Sequence, residues 1–435
     1  MVAHFTSMAS YLRSLLQRIT RLDSGAPRFL LLLIVFALFR GLIYSTINPP
    51  LGSPDEPEHF RLVEFLATGG SNGSPGAYAS HSHLYYYLLV PIYWLTSGQP
   101  SVVQQVALRP LSTLYLIGSI LFTWLAARKL APNKPIVPVV AGIFITLHPQ
   151  YGVISASINN DNAANLVSAV LTYLAVATIL EQASVRTALL TATFIGLALM
   201  TKGQTLPLVA ISALILLWSI LEQCMMRSRR SAILYLLIFV GMLAVLVAVG
   251  WGSPLLIRAQ TVLSVLANWQ DILARARQEG RWVFFYQYTS FWAAFLGESV
   301  RPPTICYAIP TTVVALGFAG YLTKLTRDRT RFLFAQRQLV ATLVLVAILL
   351  AQWFTIYLYY SSTGLEDTYR IRSLQGRFLF PALPALALLV AQGWGHLVKG
   401  KNIKTAIVLL MILLLAFDIS ALWALAGFYY WPPGS

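Results

Sequence analysis

The chain has 435 residues, 57% of them hydrophobic and only 11% charged, with a formal net charge of +16. Soluble domains carry about 25% charged residues, so a soluble globular protein is excluded, and repeated apolar runs of about 20 residues mark membrane-spanning helices instead. The positive charge falls in small clusters between those runs rather than on one basic face, which fits the positive-inside pattern and argues against nucleic-acid binding.

Arg13, Arg18, Arg21 and Arg28 precede the first apolar run, and Asn48-Pro49-Pro50 follows it without a small-x-small cleavage site. The segment 29–47 therefore reads as a retained first span and not as a signal peptide. Further spans are expected at 108–130, 135–156, 161–181, 186–201, 204–222, 231–252, 303–324, 337–360, 376–398 and 404–428, about eleven in all. The fold class is all-α, a polytopic membrane protein with a single transmembrane domain over 1–435. Leu84 to Thr96 is short, aromatic and interrupted by Pro91, and reads as an interfacial helix rather than a span. With a cytoplasmic N-terminus, most of the 31 Lys and Arg residues fall in short cytoplasmic segments. The two long segments, 48–107 and 253–302, are then extracytoplasmic, and the protein belongs in the inner or plasma membrane. Cys224 and Cys306 fall on opposite sides in this topology, so no disulfide joins them.

Ser53 to Gly70, SPDEPEHFRLVEFLATGG, concentrates acid in a chain that is otherwise short of it. Ser53 as N-cap, Pro54 at the first helical position and Glu56 three residues after Ser53 match a capping box, and Gly69-Gly70 ends the helix. On the helical wheel Arg61, Glu64 and Thr68 share a polar side, while Asp55 and His59 point with Leu62, Val63 and Leu66 along the apolar face. Charged groups on a buried face are costly unless partnered or used. Capping and dipole effects account for Glu56 without chemistry. Asp55 is the stronger functional candidate.

Other candidates lie on the same side of the membrane. Asn159-Asn160-Asp161 sits between two spans, as an N-cap through Asn160 or Asp161 or as a second acidic point for a sugar hydroxyl or a divalent cation, Mg²⁺ or Mn²⁺. Asp55 and Asp161 are the candidate metal ligands. Lys202 lies in a tight apolar hairpin, where an ionisable group is a functional-site hypothesis and a lysine suits a phosphate. Arg377, in Gln375-Gly376-Arg377, opens a helix against the dipole, a cost that a bound anion would reverse. Arg258 and Arg301 are weaker candidates of the same kind, either of which could be paired or snorkelling. Glu56-x-x-His59 has metal-ligand spacing, but the second motif that a di-metal bundle needs is missing.

These residues together resemble the GT-C superfamily of polytopic glycosyltransferases, which use polyprenyl-phosphate-linked sugars. The family's PPLYY stretch appears here as His83-Leu84-Tyr85-Tyr86-Tyr87, with Ser82 and His83 in place of the paired prolines. Tyr86 thereby becomes a candidate substrate contact. Arg109-Pro110-Leu111-Ser112 is similar to the start of the family's next span, and Leu199-Met200-Thr201-Lys202 to its LTK step. PDEPEHF, INNDNAAN and QGRFLFPALPAL are similar to an uncharacterised subgroup. The resemblance implies a glycosyltransferase that moves sugar from a polyprenyl-phosphate donor to an acceptor hydroxyl at the outer face, with inversion. Asp55 would be the general base, its basicity raised by burial, with Glu56 as its catalytic neighbour. Lys202 and Arg377, with Arg258 or Arg301, would hold the phosphate, and His59, Asn160, Asp161 and Tyr86 would line the substrate. The oligosaccharyltransferase branch's large soluble domain is absent, which favours a small glycan or a lipid as acceptor. The alternatives from other classes are a transporter or flippase for a lipid-linked solute and a lipid-linked glycan polymerase or ligase.

Overall fold

In lipid every backbone polar group must find its partner within the protein, so apolar runs fold as helices. The computed structural model describes residues 26–53, 55–71, 75–76, 82–181, 184–226, 269–296, 299–327, 336–362, 374–398 and 400–431, with isolated positions between 233 and 241. Among them all regular structure is helical apart from one isolated β-bridge, Phe295–Val300. The helices are α1 (Ala26–Ile47), α2 (Glu56–Ala67), α3 (Leu84–Leu95), α4 (Ser101–Leu130), α5 (Ile136–Thr146), α6 (Pro149–Ser155) and α7 (Asp161–Glu181). They continue as α8 (Val185–Leu199), α9 (Leu206–Met226), α10 (Trp269–Trp292), α11 (Ala308–Arg327), α12 (Gln336–Ser362), α13 (Leu383–Leu397) and α14 (Ile403–Tyr430).

Eight of the described helices are long and apolar enough to span a membrane, or nine if α5 and α6, bent by 63°, form one broken span. The expected eleven are not reached among the described residues. The segment at 186–201 is α8, only 15 residues long, which at 1.5 Å per residue falls short of a bilayer core of about 30 Å. The one at 231–252 lies almost entirely outside the described residues.

The break between α5 and α6 has a local cause. Pro149 removes a helical donor and pushes His148 into an extended conformation. Arg40 of α1 donates from Nη2 to the His148 carbonyl at 2.9 Å, which also accepts the Gly152 amide at 3.0 Å, and forks onto Asp418 of α14 at 2.7 and 2.6 Å. Tyr44 donates to the same carboxylate at 2.7 Å. Gly152 makes room, since a Cβ there would overlap the Arg40 guanidinium. The two charged residues at mid-depth thus clip the first and last helices to the broken span. Removing one partner of a buried ion pair costs about 3–5 kcal/mol, so Asp418→Ala should unfold at markedly lower temperature than wild type. A melting curve that matches the wild type's would count against the clip.

Helices α2 and α3 pack against each other and onto α4 through Phe60, Leu62, Val63, Tyr85, Leu89 and Leu108. Leu88, Trp94 and Leu95 on the far side of α3 are exposed, as suits an interfacial helix. At one end of the bundle, Lys129 pairs with Glu181 and Arg337 with Glu222. Arg109 in the N-terminal third of α4, Asp161 at the start of α7, Lys202 just before α9 and Arg377 in the segment leading into α13 lie at the opposite end.

Candidate active site

Helix α2 starts at Glu56 and not at Pro54, and the expected capping box does not form. Asp55 takes the N-cap position at φ 65°, ψ −6°, left-handed, and its side chain makes no capping bond. The Ser53 hydroxyl accepts instead from Asn48. A non-glycine residue held in this conformation carries strain that only its surroundings sustain. The surroundings here are a cation. Arg377 donates from Nη2 to Asp55 Oδ2 at 2.5 Å.

Glu56 points the other way and is fully buried. Arg109 donates from Nε and Nη2 to its two oxygens at 2.9 and 2.7 Å, and the Ile158 amide donates to Oε1 at 3.0 Å. Arg109 also serves the carbonyls of Ser45, Asn48 and Pro49 at 2.8, 2.8 and 2.9 Å. One ion pair therefore staples α2 to α4, to the exit of α1 and to the loop before α7. Both Glu56 oxygens are engaged, which gives this catalytic candidate a structural occupation. Nothing in the spacing of Glu56 and Arg109 announces the pair.

Arg377 sits in a 3-10 segment, Gly376–Ala382, that leads into α13. The segment lies directly on α10, because a Cβ at Gly376 would overlap the backbone of Gln287 and Phe291. The Gly376 amide donates to Ser290 Oγ at 2.7 Å. The glycine of QGRF is thus what lets this backbone approach α10 and carry Arg377 to Asp55.

Lys202 occupies the turn between α8 and α9 and donates to Asp161 Oδ1 at 2.5 Å. Its ammonium lies 5.6 Å from the centre of the Phe378 ring, and the Arg377 guanidinium lies 5.2 Å from the same centre. The two carboxylate–cation pairs are therefore neighbours across one aromatic side chain. Burial pushes the Asp55 carboxyl up, but Arg377, with smaller contributions from His59 and Lys202, outweighs it and holds the group below the ordinary carboxylate range. The expectation that burial raises it is corrected by that partner.

His59 is buried, with Nδ1 2.8 Å from the Tyr86 hydroxyl and the two rings stacked. Tyr86 is itself fully buried, so it orients His59 from within the core. In the asparagine run, Asn159 Oδ1 accepts from the Asp161 amide at 2.8 Å, as a cap does. Asn162 Nδ2 holds the Ile154 and Asn159 carbonyls at 2.9 and 3.0 Å. Asn160 does neither. It is fully buried, and neither carboxamide atom has a hydrogen-bond partner among the described residues; the same holds for Asp161 Oδ2. Arg301 is exposed and no ion pair joins it to this cluster among the described residues. Arg258 lies outside the described residues.

The donor set suits a divalent cation poorly. Asp55 and Asp161 each hold a cationic side chain at 2.5 Å, and no group of three His, Cys, Asp or Glu side chains gathers among the described residues. An apolar groove of about 460 Å³ is lined by Trp292, Val314, Leu349, Trp353, Leu379 and Leu386, and reaches the chain two residues from Arg377. Leu379 belongs to the same 3-10 segment as Arg377.

Residues 91–251, less than half of the chain, match the family described as dolichyl-phosphate-mannose-protein mannosyltransferase. No curated protein matches the chain by sequence. Among solved structures the chain is similar to ArnT from Cupriavidus metallidurans in the apo state, at 13% identity over 90% of this chain and 75% of that one, with a TM-score of 0.47. The same protein bound to undecaprenyl phosphate gives 13% identity over 91% and 75%, with a TM-score of 0.46. The Archaeoglobus fulgidus oligosaccharyltransferase tethered with an acceptor peptide gives 15% identity over 91% of this chain and a TM-score of 0.49; this chain spans 55% of its length. Over residues 91–251 the family match agrees with the resemblance to GT-C membrane glycosyltransferases. It covers neither PDEPEHF nor QGRF.

Proposed function

We propose that this chain is a glycosyltransferase that moves a sugar from a polyprenyl-phosphate donor to an acceptor hydroxyl, at the end of the bundle away from its basic helix ends. One observation carries the reading: the Asp55–Arg377 and Asp161–Lys202 pairs meet across Phe378, and an apolar groove reaches the chain two residues from Arg377. On the topology expected from the charge pattern, that end is extracytoplasmic.

The groove takes the start of the polyprenyl tail, and Arg377 and Lys202 take the phosphate. The acceptor oxygen attacks the anomeric carbon from the face opposite the phosphate, so the configuration inverts. Its proton passes to Asp55. The bond from the anomeric carbon to the phosphate oxygen breaks, and the electron pair leaves with the phosphate, where preorganised cations stabilise the growing charge. As the phosphate claims Arg377, Asp55 loses the partner that depresses its basicity and becomes a better base. A divalent cation has no step in this sequence. Asn160 and Asp161 Oδ2 receive the sugar's hydroxyls, since a carboxamide both donates and accepts.

The direct test is to reconstitute the protein in liposomes with undecaprenyl-phosphate-linked sugars, mannose included, and to follow release of undecaprenyl phosphate. Transfer to an added glycan or lipid acceptor is the expected result. Movement of the intact donor across the membrane without release would overturn the reading in favour of a flippase.

The asparagine run supplies a second test. Asn160→Ala should be at least as stable as wild type, because its carboxamide has no protein partner to lose among the described residues, yet raise the KM for the donor by roughly two- to tenfold. Asn162→Ala should do the opposite, melting earlier because it releases two loop carbonyls. If Asn160→Ala melts earlier and leaves KM unchanged, Asn160 is structural.

A further inference from the structure

We infer that Gln352 is a positioning residue that sets the spacing of the two phosphate-binding cations, an inference that rests on the function proposed above for Lys202 and Arg377. Gln352 lies in the apolar helix α12 and is almost fully buried. Its Nε2 donates to the Gln204 carbonyl at 3.0 Å and to the Phe378 carbonyl at 2.9 Å. The first carbonyl is two residues from Lys202 and the second is one residue from Arg377. Both partners are acceptors, so the amide must face them with its nitrogen, and its two hydrogens are matched by two oxygens.

Besides the Phe378 ring that both cations approach, the two tied segments rest on different scaffolds. Lys202 rides on a turn stitched from within by Thr205, which donates to the carbonyls of Ala198 and Lys202 at 3.0 and 2.8 Å. Arg377 rides on the 3-10 segment held against α10 by Ser290. Each is rigid on its own scaffold, and the cation-to-cation spacing depends on what joins the scaffolds. Gln352 joins them by one side chain. The next residue locks the helix that carries it, since Trp353 Nε1 donates to Gln287 Oε1 of α10 at 3.0 Å. A phosphate bridged by two cations is sensitive to their separation, because an ammonium and a guanidinium must both reach its oxygens. None of the charged residues that mark the site in the sequence points to Gln352.

The test uses the full-length protein and undecaprenyl phosphate as probe. Gln352→Met, similar in length and shape but unable to donate, should bind it about tenfold more weakly, the scale of a lost hydrogen bond. In a background carrying both Lys202→Gln and Arg377→Gln, the same substitution should have no further effect, because a residue that acts through the cations couples to them. Equal weakening in both backgrounds, or none in either, would overturn the assignment. Amide hydrogen exchange gives a readout that needs no ligand: residues 203–206 and 376–380 should exchange faster together in Gln352→Met. Loosening of one segment alone would also overturn it. Should Gln352→Met fail to fold, Gln352→Asn, whose amide stands on a stem too short for both carbonyls, should give the same joint loosening. A wild-type protein that binds no undecaprenyl phosphate defeats the proposed function, and the exchange experiment then decides the clamp alone.

Discussion

Asp55→Asn is expected to lower sugar transfer by about 10²–10⁴-fold, the contribution of a positioned general base, while leaving the protein folded. The Asp55 side chain is 37% exposed and stands at the head of α2 rather than in its core, and the Asn carboxamide that replaces it still presents an oxygen to the buried Arg377 guanidinium. The same substitution should bind undecaprenyl phosphate more tightly than wild type. Asp55 holds Arg377 at 2.5 Å, and an anion that needs Arg377 must compete with that carboxylate. A dead enzyme with improved lipid-phosphate binding is a signature that damage to the fold would not give. Wild-type turnover would remove Asp55 from the mechanism, and unchanged or weaker binding would show that it does not compete for Arg377. The pH dependence has a definite sign. Arg377 holds the Asp55 carboxyl below its ordinary value of about 4, so stabilisation by the pair is fully present above that value and is lost as pH falls through the lowered one. The kcat/KM for the donor, which reports the free enzyme in which Arg377 still holds Asp55, should show no acid limb from this group above about pH 5, and Asp55→Glu should keep an acid limb of the same direction.

Glu56→Ala, one residue away, should fail for a different reason. It leaves the Arg109 guanidinium buried without its counter-charge, 1% exposed, and breaking such a pair costs about 3–5 kcal/mol. That is a large share of the 5–15 kcal/mol by which a folded domain is stable. The expected result is a poorly recovered protein with a sharply lowered melting temperature. Replacing both partners, Glu56→Leu with Arg109→Met, should recover part of the loss, because no charge is then stranded. Recovery stays partial, since Arg109 also serves three backbone carbonyls. A Glu56→Ala protein as stable as wild type would show that the pair is not the staple. Adjacent carboxylates with opposite phenotypes, Asp55 folded and inactive, Glu56 unstable, form the sharpest contrast this chain offers.

The order of the helices was legible from apolar periodicity, and the end of the bundle at which Asp55, Asp161, Lys202 and Arg377 gather was legible from charge. Asp55, Lys202, Arg377 and Asp161 stood out because an ionisable group beside an apolar span is costly to place there. The split between Asp55 and Glu56 was not legible at the level of the backbone. A capping box requires Ser53 to head the helix, whereas the chain turns left-handed at Asp55 and sends the two side chains to different partners. The partners are Arg377 and Arg109, the first of them 322 positions away along the chain.

Asparagines show the same division. INNDNAAN reads as one polar run, yet Asn159 caps a helix, Asn162 staples a loop, and Asn160 has neither occupation among the described residues. Gln352, which donates to two backbone carbonyls, carries no sequence signal, since it matters only for what packs against it, and the reason for a glycine in QGRF appears only where Gly376 meets α10.

The sequence by itself determined that this chain is a helical membrane protein with scarce charges at the ends of its spans, because hydropathy and charge cost are local properties of each segment. Only the tertiary structure decided which cation meets which carboxylate, because those pairs join segments distant along the chain and depend on the angle at which each backbone enters the bundle. That pairing turned Glu56 into a staple and made Arg377 the partner that holds Asp55.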